Sequence, residues 1–144
     1  MHRYILASFL IAVPLAVQAD TLVLSDVKAQ NGIQLTADEL KQLMPGAKVS
    51  SRTEADASRY WTNEPGGKFI ASTESMAKAG RKKKAKTGEG TWHVSDDGKY
   101  CVTLEWHGKS EKWCRYIFKV RARYYGVGSV VDDTAKAHEY EFSK

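Results

Sequence analysis

The chain has 144 residues, 42% of them hydrophobic, and a formal charge of +5. That length fits one domain with a core of its own, though a small one that gains from a covalent staple. The modest basic excess favours anionic partners in general and selects none of them, and beyond the first twenty residues no apolar run is long enough to span a bilayer.

The first nineteen residues read as an address. Arg3 gives a positive start, Tyr4 to Val17 form an apolar run broken by Pro14, and Val17-Gln18-Ala19 puts small residues at the two positions a signal peptidase reads. The run is shorter than the roughly 20 residues of a transmembrane helix, which disfavours a membrane anchor. No cysteine lies near the cut to carry a lipid. Cleavage after Ala19 is expected, leaving a periplasmic or secreted single β-rich domain over residues 20–144.

Asp20 to Gln34 hold one short apolar alternation, Leu22 and Leu24, and little else. Thr36 with Glu39 three places on is a capping box, and Leu35 suits a hydrophobic staple. Leu40 and Leu43 share one helical face, and Pro45-Gly46 stops the helix. The spacing predicts one short helix over about 36–44, which needs docking to persist.

Strands follow over about 58–142. They are read at Arg59–Thr62, Lys68–Thr73, Gly90–Ser95, Tyr100–Trp106, Glu111–Val120 and Arg123–Val127, with a last short one at His138–Phe142. Glu64-Pro65-Gly66-Gly67 and Asp96-Asp97-Gly98-Lys99 supply turns. The fold class is mainly β: an antiparallel meander of about six to seven strands, barrel-like or a sandwich, with one short N-terminal helix.

The two cysteines sit inside this meander with three of the four tryptophans. In an oxidising compartment such a pair defaults to a disulfide. With His107-Gly108 as a two-residue loop, Cys101 falls opposite Cys114, close enough for a bridge. Two sulfurs are half a zinc site, and the chain has no Cys-x-x-Cys, so metal and redox roles are disfavoured. This register puts Val94, Cys101 and Cys114 on one face and Val102, Leu104, Trp106 and Trp113 on the other. Both faces are apolar, so either the register is off by one or the N-terminal helix covers the second face.

Gly90-Thr91-Trp92, Asp97-Gly98, Cys101, Trp113-Cys114-Arg115-Tyr116 and the helix with its Pro45-Gly46 stop together resemble a domain-of-unknown-function family (nine-nine-five) of small exported bacterial proteins. The resemblance spans roughly residues 35–127. It implies a bacterial, periplasmic protein and supplies no catalytic residues. The lysine-rich stretch is longer and more basic than the family pattern.

Three places could carry function. The stretch Lys78 to Lys86 holds six positive charges (Lys78, Arg81, Lys82, Lys83, Lys84 and Lys86) and no acid. It is a candidate contact for an anionic envelope component, or a solvated loop that aids solubility. No aromatic residue is interleaved, which speaks against nucleic acid. The tryptophans Trp61, Trp92, Trp106 and Trp113 could line a pocket for an apolar ligand, though such residues are more often core. The mature histidines His93, His107 and His138 lack metal spacing, Asp96-Asp97 and Asp132-Asp133 read as turns, and no nucleophile, phosphate-loop or zinc motif occurs. No cofactor, metal or catalytic residue is assigned. The expectation is a non-catalytic exported interaction module, contacting an anionic envelope component or a protein through the basic stretch. The alternative is a small lipocalin-like carrier of an apolar ligand. An envelope enzyme or an inhibitor of one comes third.

Overall fold

The computed structural model describes residues 22–52, 58–74 and 86–144. The expected signal peptide and most of the basic stretch lie outside these residues. The elements run α1 (Leu24–Ala29), β1 (Ile33–Gln34), α2 (Ala37–Leu43), β2 (Lys48–Arg52), β3 (Ser58–Thr62), β4 (Lys68–Glu74), β5 (Lys86–Val94), β6 (Tyr100–Trp106), β7 (Lys109–Val120), β8 (Arg123–Val127) and β9 (Ala137–Ser143). From β2 to β9 each strand pairs antiparallel with the next, and β9 returns to β2. Eight strands thus close into an up-and-down barrel, with β1 added along β7. Closure satisfies the edge hydrogen bonds that an open meander leaves bare. The architecture is the barrel rather than the sandwich, and it has two strands beyond the seven read from sequence, β1 and β2.

The β6–β7 hairpin follows its expected register. Trp106 pairs with Lys109 across His107-Gly108, where Gly108 takes φ +81, and Cys101 stands opposite Cys114 with the sulfurs bonded. The β5–β6 hairpin does not follow expectation: Val94 pairs with Tyr100, and His93 takes the place beside Cys101. The reason is loop parity. Ser95 and Lys99 are joined by a backbone hydrogen bond, leaving the odd loop Asp96-Asp97-Gly98 with Gly98 at φ +83. A three-residue loop shifts every pair by one relative to a two-residue one. Val94 therefore packs inward with Val102, and the disulfide lies on the outer face.

The two helices pack on different faces of the sheet. The barrel interior is filled by Trp61, Phe69, Trp92, Tyr100, Leu104 and Ile117, among others. Leu40 and Met44 of α2 and its C-cap join this cluster and close one end of the barrel. The capping box read at Thr36 and Glu39 forms, with the Glu39 amide donating to Thr36 Oγ1 at 3.2 Å. A buried polar knot seals this closed end: the Tyr100 hydroxyl donates to Asn63 Oδ1 at 2.7 Å, and Trp61 Nε1 points at both at 3.1 Å. The outer face of β7 and β8 is covered instead by α1, whose Leu24 and Val27 pack on Phe118, Val120, Tyr125 and Val127. The helix read from the sequence joins the face of Val102, Leu104, Trp106 and Trp113 as expected, but as an end plug, and the helix on the outer face of β7 and β8 is one the sequence pattern does not announce.

Candidate functional site

The opposite end of the barrel is open. It is formed by the end of β2, the start of β3, the end of β6 and the starts of β7 and β9. A cavity of about 680 Å3 opens there. Strand alternation decides what faces it. Trp113 pairs with the core residue Val102, so Glu111 and Arg115, two places either side, point inward as well. Ser51 of β2 pairs with both Arg59 and Tyr140, placing those two on the inner face.

Arg59 and Glu111 meet across the mouth in a bidentate pair, Nη1 to Oε2 and Nη2 to Oε1, both 2.8 Å. Such a fork is geometrically specific. The Arg59 guanidinium also lies 5.4 Å from the centre of the Trp106 ring. Two buried donors, Arg59 Nε and Trp106 Nε1, find no acceptor among the described residues. Leaving a buried donor unpaired costs on the order of 1–3 kcal/mol, so such groups mark places where something else is received or strain is held.

Arg115 is placed differently. Its guanidinium stacks 4.2 Å from the Trp113 ring centre and donates to the Tyr140 hydroxyl. Among the described residues no carboxylate pairs with it. Burial pushes the Tyr140 hydroxyl above its usual range, and the nearby Arg115 charge offsets part of that rise. The hydroxyl therefore stays protonated at neutral pH and adds no charge to the site. A glycine makes the arrangement possible: a Cβ on Gly126 would meet the Tyr140 ring at 2.7 Å and Arg115 Cδ at 3.1 Å. Gly88 does the same for Trp106, whose ring would meet an added Cβ at 2.8 Å.

The four candidate tryptophans divide between the two ends. Trp92 is core, its indole donating to the Glu64 carbonyl at 2.8 Å beside the plug. Trp61 is buried under the mouth cavity and tied into the Asn63 knot. Trp106 and Trp113 are only partly buried and stand at the open end. Of the basic set, Lys86 is exposed at the start of β5, and Lys78, Arg81, Lys82, Lys83 and Lys84 lie outside the described residues. The anchors of that connection, Glu74 and Lys86, both stand at the open end. His93 and His107 are exposed, and His138 lines the mouth. Among the described residues no three metal-ligating side chains cluster, and no helix is long and apolar enough to cross a membrane.

Sequence reading did not single out Arg59, Glu111, Arg115 or Tyr140 as site residues. A signal existed for two of them. Once the cysteine pair sets the β6–β7 register, Glu111 and Arg115 fall on the apolar face of Val102 and Leu104, where unpartnered charge is out of place.

A second concavity, of about 1080 Å3, crosses the outer flank from β2 to β6. Most of its lining residues are outward ones, including the exposed Tyr60 and Ile70 and the mixed charges of Lys48, Lys68, Glu89 and Glu105, while Val49, Trp61 and Phe69 border it from the core. It is larger, and neither of the unpaired buried donors, Arg59 Nε and Trp106 Nε1, lines it. The mouth is the better candidate because charge, aromatic surface and the unsatisfied Arg59 Nε converge there.

No curated protein and no solved structure is significantly similar to the chain. One family, described as Protein of unknown function (DUF995), matches residues 7–114, a span that starts earlier and ends earlier than the motif resemblance, closing at Cys114. The match covers most of the chain, which therefore belongs to the DUF995 family.

Proposed function

We propose that this protein is a non-catalytic binding barrel of the bacterial envelope that receives a small organic ligand in its open end. The observation that carries the reading is the mouth cavity of about 680 Å3, where Arg59, Glu111 and Arg115 converge over aromatic walls. Eight-stranded barrels enclose either a packed interior or room for one small ligand. Here α2 and the Asn63 knot fill one end while the other stays open. The volume lies within the roughly 300–1,000 Å3 of small-molecule sites. A disulfide on the outer face fits an oxidising compartment. Lys86, exposed at the start of β5, adds positive charge at the open end, where it would draw anionic molecules in.

The test compares the mouth with the outer groove. A set of small aromatic and aliphatic molecules is screened by saturation-transfer NMR against the disulfide-intact protein and two variants. Ser51→Phe fills the mouth, and Ile70→Glu places a charge in the groove. Binding should weaken at least about tenfold with Ser51→Phe and stay unchanged with Ile70→Glu. The reverse pattern, or no binder sensitive to Ser51→Phe, removes the mouth as the site.

A further inference from the structure

We propose that the ligand of the mouth is an aromatic monocarboxylate whose anionic head is held by Arg115; this rests on the mouth being the binding site. The argument is a charge count on the inner face. Arg59 and Glu111 neutralise each other through two 2.8 Å hydrogen bonds. Arg115 is left with the polar hydroxyl of Tyr140 and the face of Trp113, neither of which carries a negative charge. One positive charge therefore remains inside the mouth, and it is matched by one negative charge on the ligand. A dianion would leave the site with a net negative charge. Arg52 and Lys112, which border the same cavity, sit on the outward faces of β2 and β7, opposite Ser58 and Thr103, where solvent and salt screen them.

Chemistry selects the carboxylate. A guanidinium presents five N–H donors in a plane, and the Tyr140 hydroxyl accepts from Nη1 alone. A planar carboxylate is the anion that a planar fork holds in two parallel bonds. Stacking on Trp113 holds the guanidinium and packing beside Gly126 holds its aliphatic stem before the ligand arrives, so little further ordering is needed on binding. The body of the ligand meets Trp61, Leu104, Trp113 and Tyr140, three rings and one aliphatic side chain. Flat walls of this kind favour a flat apolar body.

The experiment is isothermal titration of the disulfide-intact protein at pH 8, above the ordinary histidine range. The probes are 2-naphthoate, its neutral isostere 2-naphthamide, the dianion 2-naphthyl phosphate, and octanoate. The expected result is naphthoate binding at least about tenfold tighter than naphthamide, the effect of a charge-assisted hydrogen bond. Arg115→Gln should remove the difference between naphthoate and the amide, and Arg115→Lys should restore part of it. Equal affinity for acid and amide overturns the assignment, as does a phosphate ester that binds more tightly than the carboxylate. Octanoate binding more tightly than naphthoate overturns the aromatic body. If no probe binds while other small molecules are still lost with Ser51→Phe, the carboxylate assignment falls and the cavity reading stands. If no small molecule depends on Ser51, both fall. The comparison of acid with amide in the unsubstituted protein decides the question even where Arg115→Gln fails to fold.

Discussion

Two tyrosines carry much of the interior chemistry, and both are almost wholly buried. Burial raises the Tyr100 hydroxyl above its usual range, with the bonds to Trp61 and Asn63 offsetting part of the rise. Tyr140 is raised for the same reason, against the pull of Arg115. The sign of the pH effect follows from proton counting. Above pH 10 an unfolded tyrosine has released its proton while these two keep theirs, so the native state binds more protons and stability falls as pH rises. Below pH 10 both states are protonated and the contribution is constant. Urea midpoints should therefore show no tyrosine-dependent change up to about pH 10 and a steep loss above it, shallower in Tyr100→Phe and Tyr140→Phe. Absorbance at 295 nm should show both groups titrating only as the barrel opens. Titration of all the tyrosines near pH 10 with the fold intact would contradict the burial argument. At this scale the sequence is only partly legible. Asn63 reads as an ordinary residue before a turn, because nothing local announces that three buried side chains will converge on its amide.

The two helices show what local pattern can and cannot announce. α2 carries its own start signal, the reciprocal bonds of Thr36 and Glu39, and its own stop at Pro45-Gly46, so its bounds were readable. α1 carries almost none. Its N-cap position is Val23, with no side chain able to accept, and its first amides bond to the Ala135 and Asp133 carbonyls more than a hundred residues away. Only Leu24 and Val27 face inward, too short a run for a periodicity to stand out. β2 carries no strand signal for a related reason: Lys48-Val49-Ser50-Ser51-Arg52 has a single apolar residue, and its inward Ser51 is polar because it faces the mouth rather than the core. The division of labour between helices leads to a prediction. Leu24→Ala removes a fully buried side chain from the outer cluster and should cost about 2–5 kcal/mol in denaturant unfolding. Ligand affinity at the mouth should not change, because α1 packs outside the barrel wall. A loss of affinity at temperatures where the variant is fully folded would mean that the outer cluster sets the positions of Arg115 and Tyr140.

On the scale of the whole molecule, the hairpins were readable and the closure was not. Loop residues and the cysteine spacing specify neighbouring strands, whereas the pairing of β9 with β2 joins Val49 to Phe142 and has no local signature. What closes the barrel is the inward aromatic layer, which no open sheet could bury on one side alone. The disulfide belongs to a different part of the energetics. It lies on the outer face, takes no volume from the core, and ties the two longest-paired strands at a point between Trp113 and Arg115. In the loop-entropy account a closure of this length contributes about 3 kcal/mol by restricting the unfolded chain. Cys101→Ala with Cys114→Ala should therefore lower Tm by on the order of 10 °C for a domain of this size. The native register is also held by the His107-Gly108 turn and by the pairing of β7 with β8, so at 25 °C the bridge-free protein should keep its shape and its affinity at the mouth. The two effects separate two roles for the bridge. A lower Tm with unchanged affinity identifies it as a staple acting on the unfolded state. An affinity that drops on reduction while the near-UV circular dichroism of the tryptophans is preserved would instead make the bridge part of the site, fixing the stacked pair of Trp113 and Arg115 from behind.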